Sequence, residues 1–259
     1  MLKNKYVVLF FQNIHDFLVY RTRLVIIVLS SFIAPLVMMW ILSGLPGQFV
    51  NGMSKSDLVS YYLTTSILYL FLNSKIDSYV KESIQQGEIA NYLVKPINFW
   101  SVALVKDISG RFIKFIFGLP LFLLLVFIYS LPLNFDFNSL SLTIGMLAIS
   151  FLLSFALAFS VGLLAFWLEE VWGIQNVKEV AIVLLSGIAL PYTFFPQALQ
   201  KFLVFTPFPY LVNWPLHKGF GGNLTLEFVM ATVWLFAFLL LNWFMWKKGI
   251  KKYSALGTY

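Results

Sequence analysis

The chain has 259 residues, of which 60% are hydrophobic, 19% are aromatic and only 11% are charged. Soluble domains average roughly 25% charged residues, so this composition excludes a single soluble core and predicts an integral membrane protein. The net charge of +7 does not indicate nucleic-acid binding, because the basic residues sort to one side of the predicted membrane. The absence of cysteine excludes disulfides, thiolate catalysis and cysteine-bound metals.

The N-terminal segment from Lys3 to Tyr20 predicts an amphipathic helix. Apolar residues such as Phe10 and Phe17 recur at helical spacing, with charged and amide residues largely between them. Residues 1–23 mix charge with apolar residues and have no small-residue cleavage site, which is not the pattern of a cleaved signal. We therefore expect residues 1–23 to form an interfacial helix that lies along the membrane.

Six apolar segments follow, on the scale needed to cross roughly 30 Å of hydrocarbon. Pro35 and Pro120 lie inside two of them, where kinks are expected. The fifth has only eleven residues before Pro191 and is too short to cross alone as a regular helix. The sequence thus predicts an all-α integral membrane protein, a single transmembrane domain of residues 1–259. Its predicted crossings are residues 24–42, 58–76, 115–130, 140–168, 180–196 and 228–246.

The end of the fifth crossing and the residues after it are rich in proline. Proline breaks a helix and biases the preceding residue toward extended conformations. Broken helices survive at membrane depth only where protein or water satisfies the freed backbone groups. We therefore predict a re-entrant helical hairpin after the fifth helix, with the candidate residues Gly187, Pro191, Pro196 and Pro207.

The second crossing is the most polar of the six. Its hydroxyl and amide side chains either hold neighbouring helices together or face a translocation path. Both interpretations stay open on sequence alone. The candidate path residues are Tyr62, Thr65, Tyr69 and Asn73.

Basic residues divide unequally between the two sides of this topology. Of the 18 Lys and Arg residues, 15 share the side that carries both termini, which the positive-inside rule assigns to the cytoplasm. The polar segment from Lys75 to Lys114, between the second and third crossings, is then cytoplasmic.

A second polar connection runs from Glu169 to Glu179. We interpret Lys178 and Glu179 as loop or interface residues, whereas a fifth helix that began at Val171 would place both inside the membrane. On the loop interpretation no crossing carries an ionisable residue, which argues against proton coupling and favours energy supplied from outside the bilayer. The sequence has no GxxxxGK[ST] phosphate-binding loop, so ATP hydrolysis would occur on another polypeptide.

Candidate catalytic groups are scarce. His15 and His217 are predicted on opposite faces of the membrane, and the adjacent carboxylates Glu169 and Glu170 have no third ligand nearby in the sequence. The sequence therefore gives little support for a membrane enzyme. We predict no catalytic, cofactor-binding or metal-binding residue in this chain.

Three stretches together are similar to a known family. They are QGEIANYLVKP at residues 86–96, the broken-helix residues LSG, P, FP and PF between residues 185 and 208, and the basic tail WKKGIKKYSALG at residues 246–257. In this order, and with six crossings, they resemble the permease subunits of ATP-binding-cassette exporters of the ABC-2 type. The resemblance extends over essentially the whole chain.

This resemblance implies a set of partners. The permease would pair with a second permease, identical or a related paralogue, above two copies of a cytoplasmic ABC ATPase that bind ATP and Mg²⁺. This chain itself would hold no cofactor and no nucleic acid, and it would contact membrane lipid. It would lie in the bacterial plasma (inner) membrane as a multi-pass protein with both termini in the cytoplasm.

The resemblance also implies that the polar stretch between the second and third crossings is a coupling helix that docks on the ATPase. Ile84, Ile89, Leu93 and Val94 would supply apolar contacts, and the charged residues would fix the orientation. The alternative function is a non-transporting membrane scaffold or assembly factor for a cytoplasmic partner. The implied coupling residues are Gly87, Glu88, Ile89, Leu93, Lys95 and Pro96.

Overall fold

The computed structural model describes residues 2–44, 49–50, 53–94, 97–129, 140–215 and 223–256, and this part of the chain is mostly helical. Strands β1 (Phe49–Val50) and β2 (Met53–Ser54) form a minimal antiparallel hairpin. The helices are α1 (Leu2–Val19), α2 (Arg21–Gly44), α3 (Lys55–Leu72), α4 (Ile76–Gln85), α5 (Ile89–Val94), α6 (Phe99–Ile128), α7 (Leu140–Leu163), α8 (Trp172–Leu185), α9 (Gln197–Leu203) and α10 (Leu224–Leu256), with 3₁₀ turns at Leu164–Phe166, Tyr192–Phe194 and Phe208–Leu211.

Within the described residues, four helical segments are long and apolar enough to cross a membrane. They match the first, third, fourth and sixth predicted crossings. The second predicted crossing corresponds to α3, which begins with the charged residues Lys55 and Asp57, and the fifth to α8, which has only 14 residues. The chain is thus a multi-pass, helical membrane protein, and the count of six crossings stays a prediction. The four segments are Arg21–Met38, Phe99–Ile128, Ser141–Phe166 and Leu224–Tyr253.

Helix α6 begins at Phe99, well before the predicted crossing at residues 115–130. The Asn98 side chain caps its first turn by accepting a hydrogen bond from the Trp100 backbone N–H at 3.0 Å. Asp107 and Arg111, four residues apart, form an ion pair on one side of the helix. The charged and apolar stretches therefore form one continuous helix, because the charged side chains find partners inside the protein.

Helix α1 (Leu2–Val19) covers the segment that the sequence predicts to be the N-terminal helix. Its Phe10 ring lies 6.1 Å from the ring of Phe112, and its Phe17 side chain lies close to the α6 backbone at Gly110. Other apolar residues of α1, including Val8 and Phe11, are more than half exposed. One apolar side of the helix thus packs against α6, and other apolar side chains are exposed. Its interfacial location stays a prediction.

In the described part of the chain, three apolar clusters hold the helices together. The first joins α2, α3 and α6 around Phe32 and Leu63. The second joins α4 and α5 to parts of α6 and α7 around Val80 and Phe159. The third joins α7 and α10 to the chain after α9, around the fully buried Trp214. Together the clusters connect the polar stretch, the long helices and the proline-rich segment.

Candidate functional site

The predicted coupling stretch folds as the end of α4, a tight turn and the short helix α5. Gly87 makes the turn with φ +78°, a left-handed conformation that favours glycine. The Gly87 carbonyl accepts hydrogen bonds from the Ala90 backbone N–H at 3.2 Å and from the Tyr253 hydroxyl at 3.2 Å. The second bond ties the turn to the C-terminal end of α10.

One side of this stretch faces the interior of the protein. Ile84 and Ile89 are buried in the cluster that contains Phe99. The hydroxyls of Tyr79 and Tyr92 lie 3.0 Å apart, and burial, followed by the Tyr92 hydrogen bond, raises the pKa of Tyr79. Ile84 and Ile89 therefore stabilise the attachment of α5 to the helices beneath it, and their side chains are not available to a partner.

The other side of the stretch is exposed. We define the α5 surface as Gln86, Glu88, Ala90, Asn91 and Val94, all exposed, with Val94 at 88%. Glu88 also accepts a hydrogen bond from the Ser83 hydroxyl at 3.3 Å. This surface combines three polar residues with two exposed apolar ones, Ala90 and Val94. Of the other implied coupling residues, Leu93 has a described backbone only, and Lys95 and Pro96 lie outside the described residues.

Helix α4 is also tied to the connection between α7 and α8. Lys81 Nζ lies 3.1 Å from Glu170 Oε1, and Gln85 Nε2 donates to the Glu169 carbonyl at 2.5 Å. The Trp172 backbone N–H donates to Glu170 at 2.8 Å. This hydrogen bond and Lys81 lower the pKa of Glu170. The Glu170 carboxylate and the Glu169 backbone carbonyl thus hold this connection to α4, and both residues are exposed.

Polar residues of α3 bond to the chain that follows α8. The Tyr61 hydroxyl donates to the Gly187 carbonyl, and Asn213 Nδ2 donates to the Tyr61 oxygen at 2.7 Å. Thr65 donates to Asn213 Oδ1 at 3.0 Å, and Tyr62 donates to the Ala189 carbonyl at 3.2 Å. Two of the four candidate path residues, Tyr62 and Thr65, therefore join α3 to the non-helical chain after α8, and a role in translocation stays a prediction.

The proline-rich segment turns back on itself after α8. Gly187 has φ +87°, and Pro191 and Pro196 immediately precede the 3₁₀ turn Tyr192–Phe194 and helix α9 respectively. Pro207 precedes the 3₁₀ turn Phe208–Leu211. All four candidate hairpin residues thus lie at or next to the ends of helical elements. Their re-entrant position in a membrane stays a prediction.

Hydrogen bonds fix the turned-back chain. The Tyr192 hydroxyl donates to the Leu185 carbonyl at 2.6 Å, which occupies a backbone acceptor at the end of α8. The Tyr210 hydroxyl donates to the Val204 carbonyl at 2.6 Å after α9. Trp214 Nε1 donates to Glu227 of α10 at 3.1 Å. Side chains thus satisfy backbone groups that the broken helices leave free.

Lys178 and Glu179 lie within helix α8 and are therefore not loop residues, whereas their position at the membrane interface stays a prediction. Lys178 is buried, and its Nζ lies 3.0 Å from Asp77 Oδ2 and 3.0 Å from Glu179 Oε1. Tyr69 and Asn73, the other two candidate path residues, donate to Glu179 Oε2 at 3.2 and 3.1 Å. The charges are tolerated in a helix because each has a partner from α3, α4 or α8.

A second buried ion pair lies on α6. Asp107 pairs with Arg111 and accepts a hydrogen bond from the Ser74 hydroxyl at 2.9 Å. Arg111 also donates to the carbonyls of Leu72 at 2.9 Å and Phe151 at 3.2 Å. The carbonyl of Leu72 belongs to the last turn of α3, where a cation is favourable.

Sequence reasoning missed these two ion pairs. The four-residue spacing of Asp107 and Arg111 was the available signal for the second pair. No local signal links Asp77 to Lys178, which are 101 residues apart. Asp107 and Arg111 lie before the predicted crossing at residues 115–130, and α8 is not among the four helical segments long and apolar enough to cross a membrane. The expectation that no crossing carries an ionisable residue therefore stays a prediction.

A family described as "ABC-2 family transporter protein" matches residues 25–257. The matched region includes nearly all of α2 and continues through the end of α10, and it leaves out α1. No curated protein sequence matches the chain.

Proposed function

Because the chain belongs to the ABC-2 family of transporter proteins, we propose that it is the permease subunit of an ATP-driven exporter. In this proposal it forms a translocation path with a second permease, identical or related. Two cytoplasmic ATPase subunits bind ATP and Mg²⁺ and drive the change. The chain crosses the bacterial plasma membrane six times, with both termini in the cytoplasm.

The arrangement of the basic tail supports this orientation. Trp246, next to the Lys247–Lys248 pair, stacks on Phe99 with ring centroids 5.3 Å apart. Tyr253, next to the Lys251–Lys252 pair, bonds to the carbonyl of Gly87. The tail and the coupling stretch therefore share one side of the molecule, which the charge distribution assigns to the cytoplasm.

The α5 surface is the observation that carries the proposed coupling. An ATPase that contacts it would act on a short helix whose opposite side is packed into the protein through Ile89 and Tyr92. Force on α5 would reach α6 through Phe99 and α10 through Tyr253. It would also reach α8, because α4 carries Asp77, the partner of Lys178. A rigid element that touches several helices can convert partner movement into repacking.

We expect the double variant Glu88→Arg/Val94→Asp to lose its ATPase partner. The change reverses one charge and places a carboxylate where the structure exposes an apolar side chain, so it disturbs the contact surface. The interior contact that it removes is the 3.3 Å hydrogen bond from the Ser83 hydroxyl to Glu88. Copurification of the ABC ATPase should fall at least about tenfold, which corresponds to ~1.4 kcal/mol. The ATPase activity of the purified complex should fall in parallel.

Val94→Leu is the matched control, because it keeps an apolar side chain at the same exposed position and should keep the partner. Thermal unfolding of both variants should stay close to wild type, since exposed substitutions usually change stability by less than about 0.5 kcal/mol. Normal ATPase association and activity in the double variant would overturn the proposed coupling surface. A wild-type chain that retains a cytoplasmic partner but no ATPase would instead support the scaffold alternative.

A further inference from the structure

A cavity of about 720 Å³ lies between α1, α2, α3, α4 and α6. Its size is within the roughly 300–1,000 Å³ typical of small-molecule sites. We call it the basic cleft, because cationic side chains outnumber carboxylates in its lining. The cationic residues are Arg23, Lys75, Lys106, Arg111 and Lys114, and the carboxylates are Glu82 and Asp107.

The positive charge of the basic cleft is only partly balanced. Asp107 is already engaged by Arg111. In the described part of the chain, Arg23, Lys106 and Lys114 form no ion pair with a carboxylate. Lys106 Nζ lies 3.9 Å from the ring centroid of Tyr79, which is a weaker partner than a carboxylate.

A buried donor adds a second, independent observation. Arg111 is 1% exposed and lines the basic cleft, and its Nε atom has no hydrogen-bond partner among the described residues. A buried N–H of a charged group is costly when it is left unpaired. An anionic ligand with several acceptor oxygens would offer both charge and acceptors to the cationic side chains that line the basic cleft.

The remaining lining is apolar and joins the cleft to membrane-facing elements. Phe17 comes from α1, Ile27 from α2 and Leu70 from α3. Next to these residues, α1 also exposes Leu18 and Val19. A ligand that is charged at one end and apolar at the other fits this lining better than a fully polar solute.

From these observations we propose that the basic cleft binds the phosphate group of an anionic amphiphile, with Lys106 and Lys114 as its principal cationic contacts. Basic pockets between membrane helices on the cytoplasmic side are suited to anionic lipid head groups. The positive-inside orientation places the basic cleft on that side. Binding here is a property separate from coupling to an ATPase, and it does not depend on the identity of the transported substrate.

Native mass spectrometry of the delipidated, detergent-solubilised protein tests this site. Dioleoyl-phosphatidylglycerol, dioleoyl-phosphatidylcholine and soluble glycerol phosphate are each titrated into the protein. We expect phosphatidylglycerol to bind at least tenfold more tightly than the zwitterionic phosphatidylcholine. Weak binding of glycerol phosphate identifies a lipid as the source of the phosphate, whereas affinity equal to that of phosphatidylglycerol identifies a soluble phosphate ester.

Variants of the basic cleft make the test specific. Lys106→Gln/Lys114→Gln should weaken phosphatidylglycerol binding at least tenfold, while Lys106→Arg/Lys114→Arg should restore it, because the charge is retained. Lys5→Gln/Lys252→Gln removes two exposed charges elsewhere and should change binding less than threefold. Wild-type affinity in the glutamine variant, or equal binding of both lipids by the wild-type protein, would overturn the proposal.

Discussion

Replacement of Lys178 by Met is expected to destabilise the protein by about 3–5 kcal/mol. Lys178 is buried and lies 3.0 Å from Asp77, which is only 3% exposed. Removing the cation leaves that carboxylate buried without its ion-pair partner, and it also removes a neighbour of Glu179 at 3.0 Å. The loss of a buried partner is costly because the remaining charge has left water without compensation.

Thermal unfolding of the detergent-solubilised protein measures this effect. At roughly 2–4 °C per kcal/mol for a chain of this size, the unfolding temperature of Lys178→Met should fall by about 10 °C. Lys201→Met is a matched control, because Lys201 is exposed on α9 and its replacement should shift the temperature little.

A double variant separates charge from packing. Asp77→Asn/Lys178→Met removes both charges, so it should unfold at a higher temperature than Lys178→Met alone. A single variant as stable as wild type, or a double variant no more stable than the single one, would contradict the pairing seen in the structure.

Gly187→Ala is expected to disrupt the turn that follows α8. The position has φ +87°, and a Cβ added there would lie 2.6 Å from Asn213 Nδ2 and 2.8 Å from Tyr192 Cε2. Backbone strain and overpacking each contribute about 1–3 kcal/mol of destabilisation. Because Asn213 is bonded to Tyr61 of α3, its displacement would also loosen the contact between α3 and the turned-back chain.

The measurements are the thermal unfolding temperature and limited proteolysis of the segment after α8. Gly187→Ala should unfold several degrees earlier and be cut more readily between α8 and α10. Gly173→Ala is the control, because Gly173 lies in the first turn of α8 and an added Cβ meets no atom within 4 Å. It should be neutral or slightly stabilising, since alanine has the higher helix propensity. Equal stability of the two variants would rule out the steric account of Gly187.

Both expected results depend on residues whose contacts the sequence did not predict. Lys178 stands near the polar residues Gln175 and Asn176, so local composition favoured a loop. The tertiary structure instead places it on a helix next to Asp77, because an ion pair removes the main penalty for burying a lysine. Gly187 was recognised as part of a broken helix, but its closeness to Asn213 depends on how distant segments pack.

In the coupling stretch, too, the sequence predicted a feature whose contacts only the structure shows. The resemblance implied that Ile84, Ile89, Leu93 and Val94 would supply apolar contacts to the ATPase. The structure buries Ile84 and Ile89 against the protein itself and leaves Val94 exposed. The contact surface implied by four apolar residues is therefore replaced by the α5 surface, in which Val94 lies among polar residues.

The sequence by itself determined the properties that depend on composition, on the order of polar and apolar segments and on the distribution of charge along the chain. These are the membrane class, the long apolar helices, the unequal distribution of basic residues and the motifs of the family. These properties can be predicted from the sequence because a bilayer requires a particular length and polarity of each segment, independently of the other segments. Only the tertiary structure decided which charges pair, which side of α5 is free and which cations line the basic cleft. Those properties arise between segments far apart in the sequence, where packing and desolvation select the partners.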